Sequence, residues 1–169
     1  MNVPEFQETL EFLAQTPQRV ADLIAGFDRD ALRFRPGPGN FSAVEQVCHL
    51  RDIEHEGFTV RVRRILEENN PQLDGINGSQ LALERDYQGQ DATPALAAFD
   101  EARRASLQLL KNASAVELGR TCSLEGSTNL TLAGLAGLMR EHDSEHLAEL
   151  ESLREGFLHA QESRQLEPN

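Results

Sequence analysis

His142 and His146 stand four residues apart in the segment LMREHDSEHLAEL. That spacing is one turn of helix, so the two rings share a face. Leu135, Leu138, Met139, Leu150, Leu153 and Phe157 recur on the same face at steps of three and four, which points both imidazoles toward a core. A neutral imidazole needs one donor and one acceptor partner, and a buried polar group left unpaired costs about 1–3 kcal/mol. A divalent cation answers that need for both rings at once. His49, in VCHLRDIEHEGF, falls by helical arithmetic on the stripe of Ile53 and Val60, so it too can face inward. Two histidines from one helix and one from another make a three-nitrogen set with open coordination positions, the pattern of a reactive rather than a purely structural ion. Imidazole suits nickel, zinc, copper and iron, and residue type does not choose among them. A bundle with no metal, its histidines satisfied by hydrogen bonds, is the competing reading.

Other residues offer less. Glu56 and Arg63 follow His49 by seven and fourteen residues, near the same stripe. They are the candidates for proton transfer and for holding an anionic substrate group, set against an ordinary solvated ion pair. Asp143 and Glu145 flank the histidine pair, where an acceptor can fix a tautomer, but both fall off the apolar stripe and read as exposed charges. Glu149 lies nearer to it and is the better candidate to orient a ligand. Cys48 points about 100° away from His49 and reads as a small core residue, Cys122 is open between core and surface, His55 turns away from His49, and His159 reads as solvated. Asp52-x-x-His55 and Asp143-x-x-His146 have acid-x-x-His spacing, but a di-iron carboxylate bundle wants Glu in those places and would leave His142 idle.

Helices must position these residues. Apolar positions recur from Phe6 to Phe27 across Pro17, where a kink is expected, and RFRPGPGN (33–40) reads as a loop. Ser42-Ala43-Val44-Glu45 is a capping box that opens a second helix to about Glu68, stopped by Asn69-Asn70-Pro71. Residues 69–92 read as a long connection with one short helix near 79–86. Thr93-Pro94 opens a third helix to about Asn112, with Leu96, Phe99, Ala102, Leu109 and Leu110 inward. Residues 113–129 read as an irregular crossing, and a fourth helix runs from about Leu130 to Leu158. Strand-like alternation is nearly absent. The expectation is all-α: an antiparallel four-helix bundle over 1–160 with a polar tail over 161–169.

Composition agrees. The 169 residues are 39% hydrophobic and 26% charged, enough apolar mass for one packed domain. Sixteen basic against 28 acidic residues leave a net charge of -12, which disfavours nucleic acid and anionic membrane as partners. The densest basic group is Arg61, Arg63 and Arg64. Two cysteines make no disulfide framework. The amino terminus lacks a basic start followed by an apolar run, and no uninterrupted apolar stretch is long enough to span a bilayer. A cytoplasmic protein is expected.

The segment Gly39-Asn40-Phe41-Ser42-Ala43-Val44-Glu45-Gln46-Val47-Cys48-His49-Leu50, the gap of about ninety residues and then His142-x-x-x-His146-Leu147 resemble the DinB/YfiT-like superfamily of metal-binding bundle proteins. The family often has tryptophan where Phe41 stands, a departure that bears on packing rather than on metal binding. The resemblance implies a four-helix bundle, often a homodimer, with one divalent metal (nickel, zinc or iron) held by His49, His142 and His146. It also implies a small-molecule substrate and thiol- or water-dependent transfer chemistry, with a low-molecular-weight thiol as one such partner. A metal-dependent binding or stress-response module without catalysis is the alternative.

Overall fold

The structure, a computed structural model, describes residues 2–166. Helix α1 (Val3–Ile24) opens on a capping box in which the Asn2 side chain accepts from the Glu5 N–H and the Glu5 carboxylate accepts from the Asn2 N–H. It continues across Pro17. A short helix α2 (Arg29–Arg33), capped by Asp28, follows and shortens the expected loop. The capping box at Ser42 forms as the sequence predicts, the Glu45 carboxylate accepting from both the Ser42 N–H and its hydroxyl. The helix it opens has three parts in one run: α3 (Ala43–Asp52), a π-helical turn (Ile53–Phe58) and α4 (Thr59–Glu67).

The connection after α4 holds strand β1 (Gln72–Leu73), helix α5 (Gly78–Glu84) and a 3-10 turn at Tyr87–Gly89. Helix α6 (Ala92–Asn112) is capped by Asp91, which accepts from the Thr93 N–H, so its cap and first residue each fall two residues before the expected Thr93 and Pro94. Its buried face is Ala95, Phe99, Ala102, Arg103, Ser106, Leu107 and Leu110, while Leu96 and Leu109 are only partly buried.

The expected irregular crossing is ordered. It contains a one-turn helix α7 (Ala115–Leu118) and a hairpin of β2 (Thr121–Leu124) and β3 (Ser127–Thr131). Glu125 and Gly126 both have positive φ at the tip, the conformation a two-residue hairpin turn demands. β1 pairs parallel to β2, with Gln72 opposite Ser123 and Leu73 opposite Leu124. Strand signal is therefore present, in pieces of two to five residues. Helix α8 (Leu132–Leu166) runs past the expected end at Leu158, so the polar segment after 160 begins as helix. Residues 167–169 of that segment lie outside the described residues.

The four long helical runs, α1, α3 through α4, α6 and α8, form the bundle. α1 packs on α6 and α8, and α3 packs on α6 and α8. Among the described residues no helix is long and apolar enough to cross a membrane. Two apolar clusters fill the interior. One gathers Leu10, Leu13, Phe58, Val62, Leu107 and Met139; the other gathers Val20, Val47, Leu50, Phe99, Leu147 and Leu150. Between Met139 and Leu147 on α8 come His142, Asp143 and His146, so the functional residues lie where one apolar cluster gives way to the next.

Candidate metal centre

The three histidines converge. Their ligating nitrogens lie within 4.8 Å of one another, and the ring centroids are 4.5 to 5.2 Å apart. His49 Nε2 and His142 Nε2 stand 3.1 Å apart. Two nitrogens bound tetrahedrally to one ion at about 2.0–2.1 Å would be about 3.3–3.4 Å apart, so this pair already has nearly the separation an ion requires. His49 Nδ1 and His142 Nδ1 are buried and have no hydrogen-bond partner among the described residues. Burial, and then the neighbouring His146 and His142, push the pKa of His49 down to about 3. Burial, then His142, also lower that of His146. His49 is therefore a neutral imidazole at physiological pH, the form that donates a lone pair to a metal. The donor set fits a divalent transition ion.

Each ring is held by neighbours. His146 Nδ1 is 2.6 Å from Gln46 Oε1 and 3.0 Å from Glu149 Oε2, and Gln46 Nε2 donates to the same Glu149 oxygen at 2.5 Å. Two acceptors at Nδ1 place the proton there and leave the Nε2 lone pair for a ligand. Phe58 meets the His142 ring edge-on at 5.5 Å, and Phe41 lies 5.5 Å from His49. Gly78, the first residue of α5, presses its bare backbone on His49: a Cβ there would lie 2.3 Å from the ring Cε1. His142 and His146 keep 22% and 13% of their side-chain surface exposed, so the cluster reaches solvent.

The π turn redirects the second helix. It adds one residue per turn over Ile53–Phe58, which rotates everything after it relative to a regular helix. The buried stripe that starts at His49 and Ile53 continues through Phe58, Val62 and Ile65, and Val60 is exposed. Glu56 and Arg63 leave the histidine stripe for the same reason. Glu56 forms a two-pronged ion pair with Arg85, at 2.7 and 2.9 Å, and Arg63 is exposed. Arg61 stacks over Phe58, the ring that meets His142, at 5.7 Å and donates to the Asp74 carbonyl.

Asp143 is not an exposed charge. It is fully buried and paired with the equally buried Arg103, whose Nη1 and Nη2 donate to it at 2.5 and 3.0 Å. Arg103 Nη2 also donates to Glu54 at 2.9 Å and Nη1 to the Leu13 carbonyl at 3.1 Å. Burial alone raises the Asp143 pKa, but the Arg103 charge and its hydrogen bonds overcome this and hold it at about 2. One oxygen of Asp143 lies 3.9 Å from His142 Nδ1. Arg103 and Glu54 carry no motif in the sequence, and Gln46 lies in the segment before His49 without a role assigned to it. Their one signal was that each is polar at a position where its helix turns inward.

The remaining residues fall outside the cluster. His55 is exposed, and His159 is exposed beside Glu162. Leu138, expected on the inward stripe, is exposed. Cys48 and Cys122 are both buried. Asp52 is bound by Arg51, Arg85 and the Tyr87 hydroxyl, so both acids of the di-iron reading are committed to other partners.

A bundle of long helices carrying three imidazoles at mid-height is the class that fold and site define. The sequence profile of the DinB superfamily matches residues 13–150, and the chain belongs to that superfamily. Among solved structures it is similar to YfiT from Bacillus subtilis, described as a probable metal-dependent hydrolase with an unusual four-helix bundle topology. The two share 18% sequence identity and a TM-score of 0.85, over 93% of this chain and 90% of that one. At that identity the likeness speaks for the fold. No curated protein matches the chain significantly.

Proposed function

We propose that the protein is a metal-dependent enzyme acting on a small molecule, with one divalent transition ion held by His49, His142 and His146. The observation that carries this reading is the convergence of three imidazoles from two helices, with the Nε2 atoms of His49 and His142 already 3.1 Å apart. Partial exposure of His142 and His146 supports a reactive rather than a sealed ion, since a substrate must reach it. The description of YfiT as a probable metal-dependent hydrolase supports the same class.

A bound ion of this kind supplies Lewis acidity and brings a water or thiol near it within reach of deprotonation at neutral pH. The chain's own residues do the rest. Gln46 and Glu149 fix the tautomer of His146, and Asp143, clamped by Arg103, lays a negative charge beside His142. The acceptor is water or a low-molecular-weight thiol, and the setting is the cytoplasm.

Protein purified without a histidine tag should contain about one transition metal per chain by elemental analysis. His142→Ala should abolish that metal, and His55→Ala should leave it bound. The reverse pattern would remove the ligand set. Incubation of metal-loaded protein with glutathione, bacillithiol or mycothiol and electrophilic acceptors, beside a panel of hydrolysable esters and amides, should give metal-dependent turnover of one of them. Tight metal without turnover on either panel would favour a binding module.

A further inference from the structure

A cavity of about 720 Å³ lies between α2, the segment leading into α3 and the last described turns of α8. Four of the chain's eight phenylalanines line it: Phe27, Phe34, Phe41 and Phe157. Phe27 and Phe157 stand 4.5 Å apart, and Phe34 is 61% exposed at the rim. The volume is that of an ordinary small-molecule site, and the lining mixes the aromatic rings with polar side chains, Asn40, Gln46, Ser152 and Gln161 among them.

Its charge is one-sided. The ionisable residues that line it are Asp28, Asp30 and Glu149, and no Lys, Arg or His lines it among the described residues. Of the arginines nearby, two are engaged elsewhere and the third already stacks on two of the lining rings. Arg35 pairs with Glu45, Arg33 donates to the Gln88 and Gln90 carbonyls, and Arg154 stacks on Phe27 and Phe157 while donating to the Ala25 carbonyl. Aromatic faces attract a cation, carboxylates attract it further, and both disfavour an anion.

The cavity also adjoins the histidines. Glu149 lines it and holds His146; Gln46 lines it and bonds both; Phe41 lines it and lies against His49. We infer that this cavity is a binding site for an aromatic or bulky apolar small molecule bearing a protonated amine, seated beside the three-histidine cluster. Binding stands on the cavity alone. The further step, that this molecule is the substrate class, rests on the metal-enzyme reading above. A substrate of this class differs from the anionic one that the sequence suggested through Arg63.

The test uses three isosteric probes, 3-phenylpropylamine, 3-phenylpropanol and 3-phenylpropionate, titrated by calorimetry and followed by NMR on the full chain, metal-free and metal-loaded. The amine should bind the metal-free protein about tenfold more tightly than the carboxylate, with the alcohol between them. Phe157→Ala should weaken the amine by about tenfold, and Asp30→Asn should narrow the gap between amine and carboxylate. Equal or tighter binding of the carboxylate, or no binding of the amine at millimolar concentration, would overturn the proposal. So would a Phe157→Ala variant with unchanged affinity, or an amine that acts by dissociating a dimer, which would assign the cavity to a second copy. Metal content and amine affinity, measured on the same preparations of the unaltered protein, separate the two readings. Amine binding retained with no metal in any form of the protein keeps the cavity and removes the metal centre; metal bound with no amine affinity does the opposite.

Discussion

The ring of His49 is fixed from several directions: by Phe41, by the other two imidazoles and by the backbone of Gly78. The last contact leaves no space for a methyl group, because a Cβ on Gly78 would stand 2.3 Å from Cε1 and 2.6 Å from Nδ1. Gly78→Ala should therefore displace the His49 ring and cut metal content from about one per chain to a small fraction, while far-ultraviolet circular dichroism stays helical. Gly156→Ala, where a Cβ meets nothing within 4 Å, is the control and should keep its metal. Equal metal content in both variants would mean that the ring moves freely. At this scale the histidines were legible because a spacing of four on an apolar stripe states which way a ring points. Gly78 was not, since its role comes from a contact across 29 residues of chain. Asp143 was misread because sequence alone treats a carboxylate next to a ligand as solvated, and only the fold brings Arg103 opposite to it.

Between residue and molecule stand the helices, and the Arg103 cluster is what ties them at mid-height. Its guanidinium joins Glu54 on the π turn, Asp143 on α8 and the Leu13 carbonyl on α1 to its own helix α6. Burying three charges is no net gain over a well-packed apolar core, but removing one partner strands the others, at about 3–5 kcal/mol. Arg103→Met should lower unfolding stability by about that amount, read from urea midpoints with the slope unchanged. Adding Glu54→Gln and Asp143→Asn to it should recover part of the loss, because no unpaired charge then remains buried. If the triple variant is as unstable as the single one, shape rather than charge sets the role of Arg103. The long helices were legible from caps and period. The π turn was not, because IEHEGF has no marker for one extra residue, and its rotation carries Val60, Glu56 and Arg63 off the stripe that a regular helix predicts. The strands escaped notice because two to five residues are too few to establish an alternating pattern.

Seen whole, the molecule is two apolar clusters joined through a polar layer of His49, Glu54, Arg103, His142, Asp143 and His146. A layer of this kind makes stability depend on pH, and the sign follows from its carboxylates and from His49, whose folded ring stays neutral down to about 3 while the unfolded one protonates near about 6.5. Asp143 has its folded pKa held at about 2, below the value of about 3.9 for an unfolded aspartate. The unfolded chain thus takes up its proton first as the solution is acidified. The contribution of Asp143 is complete above about pH 4 and is lost as pH falls from about 4 toward about 2. Asp52, lowered by Arg51, Tyr87 and Arg85 against the effect of its burial, adds a loss of the same sign. Metal-free protein should accordingly show urea midpoints that fall from about pH 6.5, where the unfolded chain protonates His49 while the folded ring stays neutral down to about 3, and that fall further below about pH 4 as the carboxylates join. Asp143→Asn should begin from a lower midpoint at neutral pH and decline less steeply over the same interval, since the group that links proton uptake to unfolding is gone. Parallel slopes for the two proteins would mean that Asp143 titrates alike in the folded and unfolded chain, and that the layer does not hold its charge as the structure describes.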